Sequence, residues 1–155
     1  IHTGKDGWTY LASVEDLYSR KIIGWAFGKT MDAELAKKAL KNASLNVKKT
    51  KGIILQTDLG SQYTSNIFEE YLAELKIRHS YSRKGCPYDN SCIESFHSIL
   101  KKEEVNLKKY KDFKDAYNAI FEFIEAWYNR ERIHSSLNYR TPDEVYSNLE
   151  KSLVA

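Results

Sequence analysis

Apolar positions repeat with two different periods along this chain, and the switches between them mark out the elements. From Trp8 to Val14, aromatic and β-branched residues recur in alternation, the period of a strand. Lys5-Asp6-Gly7 just before it is a hairpin turn signal, because glycine supplies the positive φ that a tight turn needs. Lys21 to Phe27 is almost continuously apolar, which predicts a central strand. Asp32 to about Val47 then adopts helical spacing, with Ala36, Ala39, Leu40, Ala43 and Val47 on one face. Ile53-Ile54-Leu55 reads as a short buried strand running into Gln56, Thr57 and Asp58. Ser65 to Lys76 is a helix with Ile67, Phe68, Tyr71, Leu72 and Leu75 in register, and Ile77 to Tyr81 is a further strand. A loop from Ser82 to Asp89 leads to Asn90, a helix cap, and a helix to about Glu103. A long helix from Asp112 carries Phe113, Ala116, Tyr117, Ile120, Ile124 and Trp127 as a core stripe. Thr141-Pro142-Asp143-Glu144 combines an N-cap, a first-turn proline and a capping-box glutamate for a last helix to about Leu149.

A hairpin of strands followed by strands alternating with helices predicts one mixed α/β layer system. The 155 residues suit a single domain with a real core, and no repeat or low-complexity stretch divides them. Hydrophobic residues at 42% and charged residues at 29% are the balance of a globular protein in water. No apolar run approaches the roughly 18 residues of a membrane span, so no membrane partner is expected. The chain opens at Ile1 with no methionine, which reads as a fragment or a processed product. Cys86 and Cys92 make neither a disulfide framework nor a zinc site, and the four histidines lack ligand spacing. Free thiols in a cytoplasmic protein are the expectation. The net charge of +3 says little, but between Arg78 and Lys111 eight Lys and Arg stand against four Asp and Glu. That local excess suits phosphate contact and equally suits a solvated face.

Two acids stand out by position. Asp58 ends an apolar strand and is followed by Gly60, while Glu94 lies one turn into a helix, with 35 residues between the two acids. Strand ends above a central sheet are where such folds place their chemistry. A carboxylate there and another on a crossing helix can converge on a hard divalent cation, which prefers oxygen ligands. Two arbitrary acids are more often surface charges, so the surrounding residues decide the matter.

Those residues resemble a known family. Gln56-Thr57-Asp58-Leu59-Gly60-Ser61-Gln62-Tyr63-Thr64-Ser65 resembles the second-aspartate motif of OrfB-type insertion-sequence transposases, relatives of retroviral integrases. Asp89-Asn90-Ser91-Cys92-Ile93-Glu94-Ser95-Phe96 resembles their glutamate helix, at the family's spacing of 35. Gly7-Trp8 through Gly24-Trp25, with Asp16-Leu17-Tyr18-Ser19-Arg20 inside it, resembles their opening hairpin. Tyr128-Asn129, Arg132, His134-Ser135-Ser136-Leu137 and Tyr139-Arg140-Thr141-Pro142 resemble their C-terminal signature. Leu59 departs from the family, which usually has a basic residue there.

The resemblance covers the whole chain and implies an integrase/transposase catalytic core over residues 1–155, with a ribonuclease-H-like five-stranded mixed sheet. It implies a DDE triad with Asp58 and Glu94 as catalytic metal ligands, and two Mg²⁺ ions in the complete site, Mn²⁺ being an alternative. The family's first aspartate aligns about four positions before Ile1, so the resemblance implies an N-terminally truncated first strand and a chain inactive alone. Asp16 is the best-placed substitute acid, although a structural role beside Arg20 or the backbone is the plainer reading. The implied partners are transposon-end and target DNA and further copies of the same chain, in the cytoplasm at the nucleoid.

Lys101 lies two helical turns beyond Glu94 on the same face and suits a DNA phosphate, where the family also has a basic residue. Arg83 and Lys84 precede the glutamate helix as a DNA-gripping element. Asn90 can cap that helix and orient Glu94, in addition to contacting DNA. For Arg132 and His134, DNA contact and structural hydrogen bonding fit equally. The alternative to a metal-dependent polynucleotidyl transferase is a non-catalytic DNA-binding or assembly module of a decayed transposon. A ribonuclease acting on RNA–DNA hybrids fits the fold but not the motifs.

Overall fold

The alternation in the first thirty residues builds two antiparallel hairpins in the computed structural model, which describes residues 1–82 and 90–152. β1 (His2–Thr3) pairs with β2 (Gly7–Trp8), and Gly7 takes the positive φ of 72° that the turn demands. β3 (Tyr10–Glu15) pairs with β4 (Ile22–Gly28), with Leu11 opposite Phe27 and Ala12 opposite Ala26. The Asp16 carboxylate closes the turn between them: its Oδ2 accepts the Ser19 backbone N–H at 2.8 Å and the Ser19 hydroxyl at 2.6 Å. β5 (Ile54–Thr57) runs parallel to β6 (Arg78–Tyr81) through a crossover containing α2 (Asn66–Glu74).

Both faces of the β3–β4 ladder are covered, which is why β4 reads as continuously apolar. Ala12 and Ala26 meet Leu35 and Ala39 of α1 (Ala33–Leu45) on one face. The approach at Gly24 is so close that a Cβ there would lie 2.3 Å from the Ala43 nitrogen. The other face sets Leu11, Trp25 and Phe27 against Phe96 and Leu100 of α3 (Ser91–Glu103) and Ala116 and Ile120 of α4 (Phe113–Glu122). A third cluster, Ala36 and Leu40 with Phe68 and Leu72, joins α1 to α2.

The expectation for the sheet is met in part, and two expectations of burial need correction. Among the described residues the strands hydrogen-bond as three two-stranded units rather than as one continuous sheet. Ile53 and Ile54 are 37% and 57% exposed, not buried, because among the described residues β5 pairs with β6 and no strand covers its other edge. Trp127 is 44% exposed, because the helix that starts as α4 passes into a π-helical segment, Phe123–Glu131. The wider turn shifts the stripe by about one residue and buries Tyr128 instead.

The same π-helical segment carries Asn129, which is 2% exposed. Its Oδ1 accepts the Ile22 N–H and its Nδ2 donates to the Ile22 carbonyl, both at 3.0 Å, as a neighbouring strand would. The predicted capping box forms before α5 (Pro142–Ser152): Thr141 N–H donates to Glu144 Oε2, and Glu144 N–H donates to Thr141 Oγ1.

Asn129→Leu leaves both backbone groups of Ile22 buried and unpaired, at about 1–3 kcal/mol each. Urea unfolding should show a loss of about 2 kcal/mol or more; an unchanged midpoint would contradict this role.

Candidate functional site

Between the two strand pairs lies a cavity of about 300 Å³. Leu11 to Glu15 of β3 line one side, and Ile54 to Asp58 at and beyond β5 line the other. Successive strand residues point to opposite faces, so consecutive lining residues mean that the cavity runs along the strand edges. Ala36, Ala39 and Leu40 of α1 form part of the wall, and Ile93, Glu94 and His97 of α3 form another part.

Asp58 and Glu94, remote in sequence, thus border one space. Asp58 leaves the end of β5 exposed, and its Oδ1 accepts the Gly60 N–H at 2.8 Å. Glu94 stands exposed in the first turn of α3. Two carboxylates on different walls of one cavity have the donor chemistry of a hard divalent cation. Among the described residues, no group of three or more His, Cys, Asp or Glu gathers closely enough to hold an ion. The pair fits the metal as a partial ligand set.

His97, one turn beyond Glu94, faces the same cavity, and Ser13 Oγ of β3 lies 3.1 Å from its Nε2. Burial, with Lys101 as a lesser cause, lowers its pKa to about 4, so the imidazole is neutral. Its helical offset of three from Glu94 was the available sequence signal. Glu15 was also missed, because it directly precedes the more obvious Asp16. Burial raises the Glu15 pKa to about 7, although Arg20 opposes the shift. Its Oε2 is buried without a hydrogen-bond partner among the described residues. Asp16 is absent from the described lining of this cavity and spends its carboxylate in the β3–β4 turn.

The candidate DNA-contacting residues scatter by role. Lys101 is exposed on α3. Arg132 is engaged, its Nη2 2.9 Å from Glu103 Oε1 and its Nε 3.1 Å from Oε2. Asn90 makes no side-chain cap, contrary to expectation; its backbone departs from cap geometry and its Oδ1 accepts the Ser82 hydroxyl at 2.7 Å. His134 packs edge-on against Tyr128, and its Nε2 is buried without a hydrogen-bond partner among the described residues. It lines a second cavity of about 170 Å³ with Glu15 and Arg20. Arg83 and Lys84 lie outside the described residues. Among the described residues no helix is long and apolar enough to cross a membrane.

Comparison with known proteins gives three concordant findings. Residues 1–87 match a family model described as integrase core domain, and residues 75–142 match a second model of that description. The chain is 39% identical over 140 residues to the transposase for insertion sequence element IS904 of Lactococcus lactis subsp. lactis (strain IL1403), covering 90% of this chain and 55% of that protein. It therefore spans about half the length of that relative. The catalytic core domain of BIV integrase superposes with a TM-score of 0.69 at 17% identity, covering 100% of this chain and 94% of that one. The HTLV-2 integrase catalytic core domain in complex with magnesium, a trimeric form, gives 0.61 at 16% identity over 88% and 92%. The mixed α/β fold is that of retroviral integrase catalytic cores.

The Glu15 environment has a consequence in pH. Its folded pKa, about 7, exceeds its ordinary value of 4.5, so the folded state binds the proton more tightly. Glu15 therefore costs no stability below about pH 4.5, and stability falls as pH rises to about 7. Glu15→Gln should raise the melting temperature at pH 8 by about 3 °C or more and leave it level at pH 4. An equal shift at both pH values would contradict the buried carboxyl.

Proposed function

The chain belongs to the integrase core domain family, and from that premise we propose that it is the catalytic core of an insertion-sequence DNA transposase. The reaction is metal-dependent phosphoryl transfer: water, then the DNA 3′-hydroxyl freed by that first cut, attacks a phosphodiester in line, and each time the P–O3′ bond opposite breaks and the 3′-oxygen leaves as a hydroxyl. The single observation that carries this reading is that Asp58 and Glu94 line one cavity.

In this reading the Asp58 and Glu94 carboxylates would help to hold two Mg²⁺ ions, with Mn²⁺ as an alternative. When bound, those ions supply charge stabilisation to the attacking and leaving oxygens. The magnesium complex of the HTLV-2 core supports the choice of ion. Lys101, exposed beyond Glu94 on α3, holds the DNA phosphate. Arg83 and Lys84, which precede that helix in the sequence, are further DNA contacts, as are Asn90 and His134. Arg132 joins them only by giving up its pair with Glu103. The substrates are transposon ends and target DNA at the nucleoid, and the active complex is a homo-oligomer, a reading supported by the trimeric HTLV-2 core.

The finer architecture follows from the cavity. We read β4–β3 and β5–β6 as two parts of a five-stranded ribonuclease-H-like sheet, with another strand of the complete protein lying between the edges of β3 and β5. That strand would bring the third acid, which the family resemblance places upstream of Ile1. Asp16 takes no part as substitute while its carboxylate closes the turn.

Strand cleavage by the complete protein on transposon-end DNA with Mg²⁺ tests the assignment. Asp58→Asn and Glu94→Gln should each reduce the rate by about 10²-fold or more, since misplacement of reacting atoms by 1 Å can already cost that much. Cleavage by either variant at the parent rate would overturn it. DNA affinity should fall steeply between about 50 and 200 mM salt, and Lys101→Glu should weaken it. Affinity that stays level with salt would contradict phosphate contact.

A further inference from the structure

Beneath Asp58, on the α2 side of β5 and β6, lies a line of polar groups that the reaction does not require. The parallel register sets Leu55 beside His79 and Thr57 beside Tyr81, so Thr57 and His79 share a face. Both are buried, Thr57 at 8% exposure and the His79 side chain at 7%. His79 Nδ1 lies 2.6 Å from Glu69 Oε1 on α2, and His79 Nε2 lies 2.8 Å from the Thr57 hydroxyl. That hydroxyl also reaches the Asp58 backbone carbonyl at 2.9 Å. Tyr81 donates a hydrogen bond to the same Glu69 oxygen, and this bond, more than that from His79, holds the Glu69 carboxyl below its usual range. Phe68 and Tyr81 pack against the imidazole with ring centroids 5.8 and 4.2 Å away, which fixes its plane.

The line continues towards the second acid. The Thr57 carbonyl accepts the Ser82 N–H at 2.7 Å, and the Ser82 hydroxyl donates to Asn90 Oδ1 at 2.7 Å, directly before α3. Asp58 and Glu94 are themselves exposed. Among the described residues, the end of β5 from which Asp58 departs is bonded to a strand, β6, on one side only. A buried, doubly anchored imidazole under that end removes freedom that the single ladder leaves.

We propose that Glu69, His79 and Thr57 are positioning residues that set Asp58, and through Ser82 and Asn90 the start of the Glu94 helix, for binding a divalent cation. This rests on the reading of Asp58 and Glu94 as metal ligands. Outer-shell hydrogen bonds of this kind orient ligands, and their loss commonly costs about 10–100-fold in metal affinity. A histidine that only packed the interior would change the melting temperature without changing the affinity of folded protein for the ion.

The test is titration of the full-length protein with Mn²⁺, followed by the electron paramagnetic resonance of the free ion, after thermal melting has established that each variant folds. Asp58→Asn should weaken binding by about 10-fold or more, and His79→Phe should also weaken it by about 10-fold. His79→Gln, whose amide nitrogen can donate to Thr57 while that hydroxyl donates to Asp58, should bind the ion more tightly than His79→Phe. Glu69→Leu alters the half-exposed end of the line and decides the matter if His79→Phe does not fold; it too should weaken binding. Parent-like affinity in the folded His79 and Glu69 variants, with Asp58→Asn impaired, overturns the positioning role and leaves the metal ligands standing. Parent-like affinity in Asp58→Asn overturns the ligand assignment itself, and the positioning role with it.

Discussion

The close approach of α1 to β4 at Gly24 is the constraint on which the rest of the arrangement hangs. With a hydrogen in place of a side chain, the helix settles against the ladder until the Ala43 backbone fills the space of the missing Cβ. Helix α1 then has Leu35 and Ala39 for the hairpin and Ala36 and Leu40 for α2. Through α2 it carries β5 and β6, and so Asp58. Because β3 and β5 do not hydrogen-bond to each other among the described residues, this helix-mediated packing links the strand pairs. The separation of the two acids is therefore governed by packing well away from either of them.

A second attachment comes from above. Helix α3 meets β3 through Ser13 and His97, within one turn of Glu94, while Phe96 and Leu100 enter the main core. Phe96 is fully buried and Glu94, two positions earlier, is exposed, so one helix serves as both wall and ligand carrier. A neutral His97 suits that place, since an imidazolium there would oppose the binding of a cation. The electrostatic cost of the region falls instead on Glu15, whose carboxyl burial pushes towards neutrality.

Much of this was legible in the residues. The Lys5-Asp6-Gly7 turn, the Thr141–Glu144 capping box and the helical spacing of Ala36, Ala39 and Leu40 are local signals, and each appears where its chemistry predicts. Asp58 and Glu94 were singled out by motif and spacing. What sequence periodicity could not show depends on tertiary context. The π-helical turn that exposes Trp127 arises where Asn129 bonds Ile22, a partner 107 residues distant. The exposure of Ile54 reflects an open strand edge, which its own apolar character does not announce. Asn90 has the residue type of a cap, yet its carbonyl oxygen is taken by Ser82. Glu69, His79 and Thr57 come together only through the parallel register of β5 and β6.

The central claim is that Asp58 and Glu94 share a cation. The most direct measurement is anomalous diffraction from crystals of the complete protein soaked in Mn²⁺. Density is expected between the two side chains, with carboxylate oxygens of both residues at about 2.1 Å, the distance of a hard octahedral cation. An ion held elsewhere, or held by only one of the two, would contradict it.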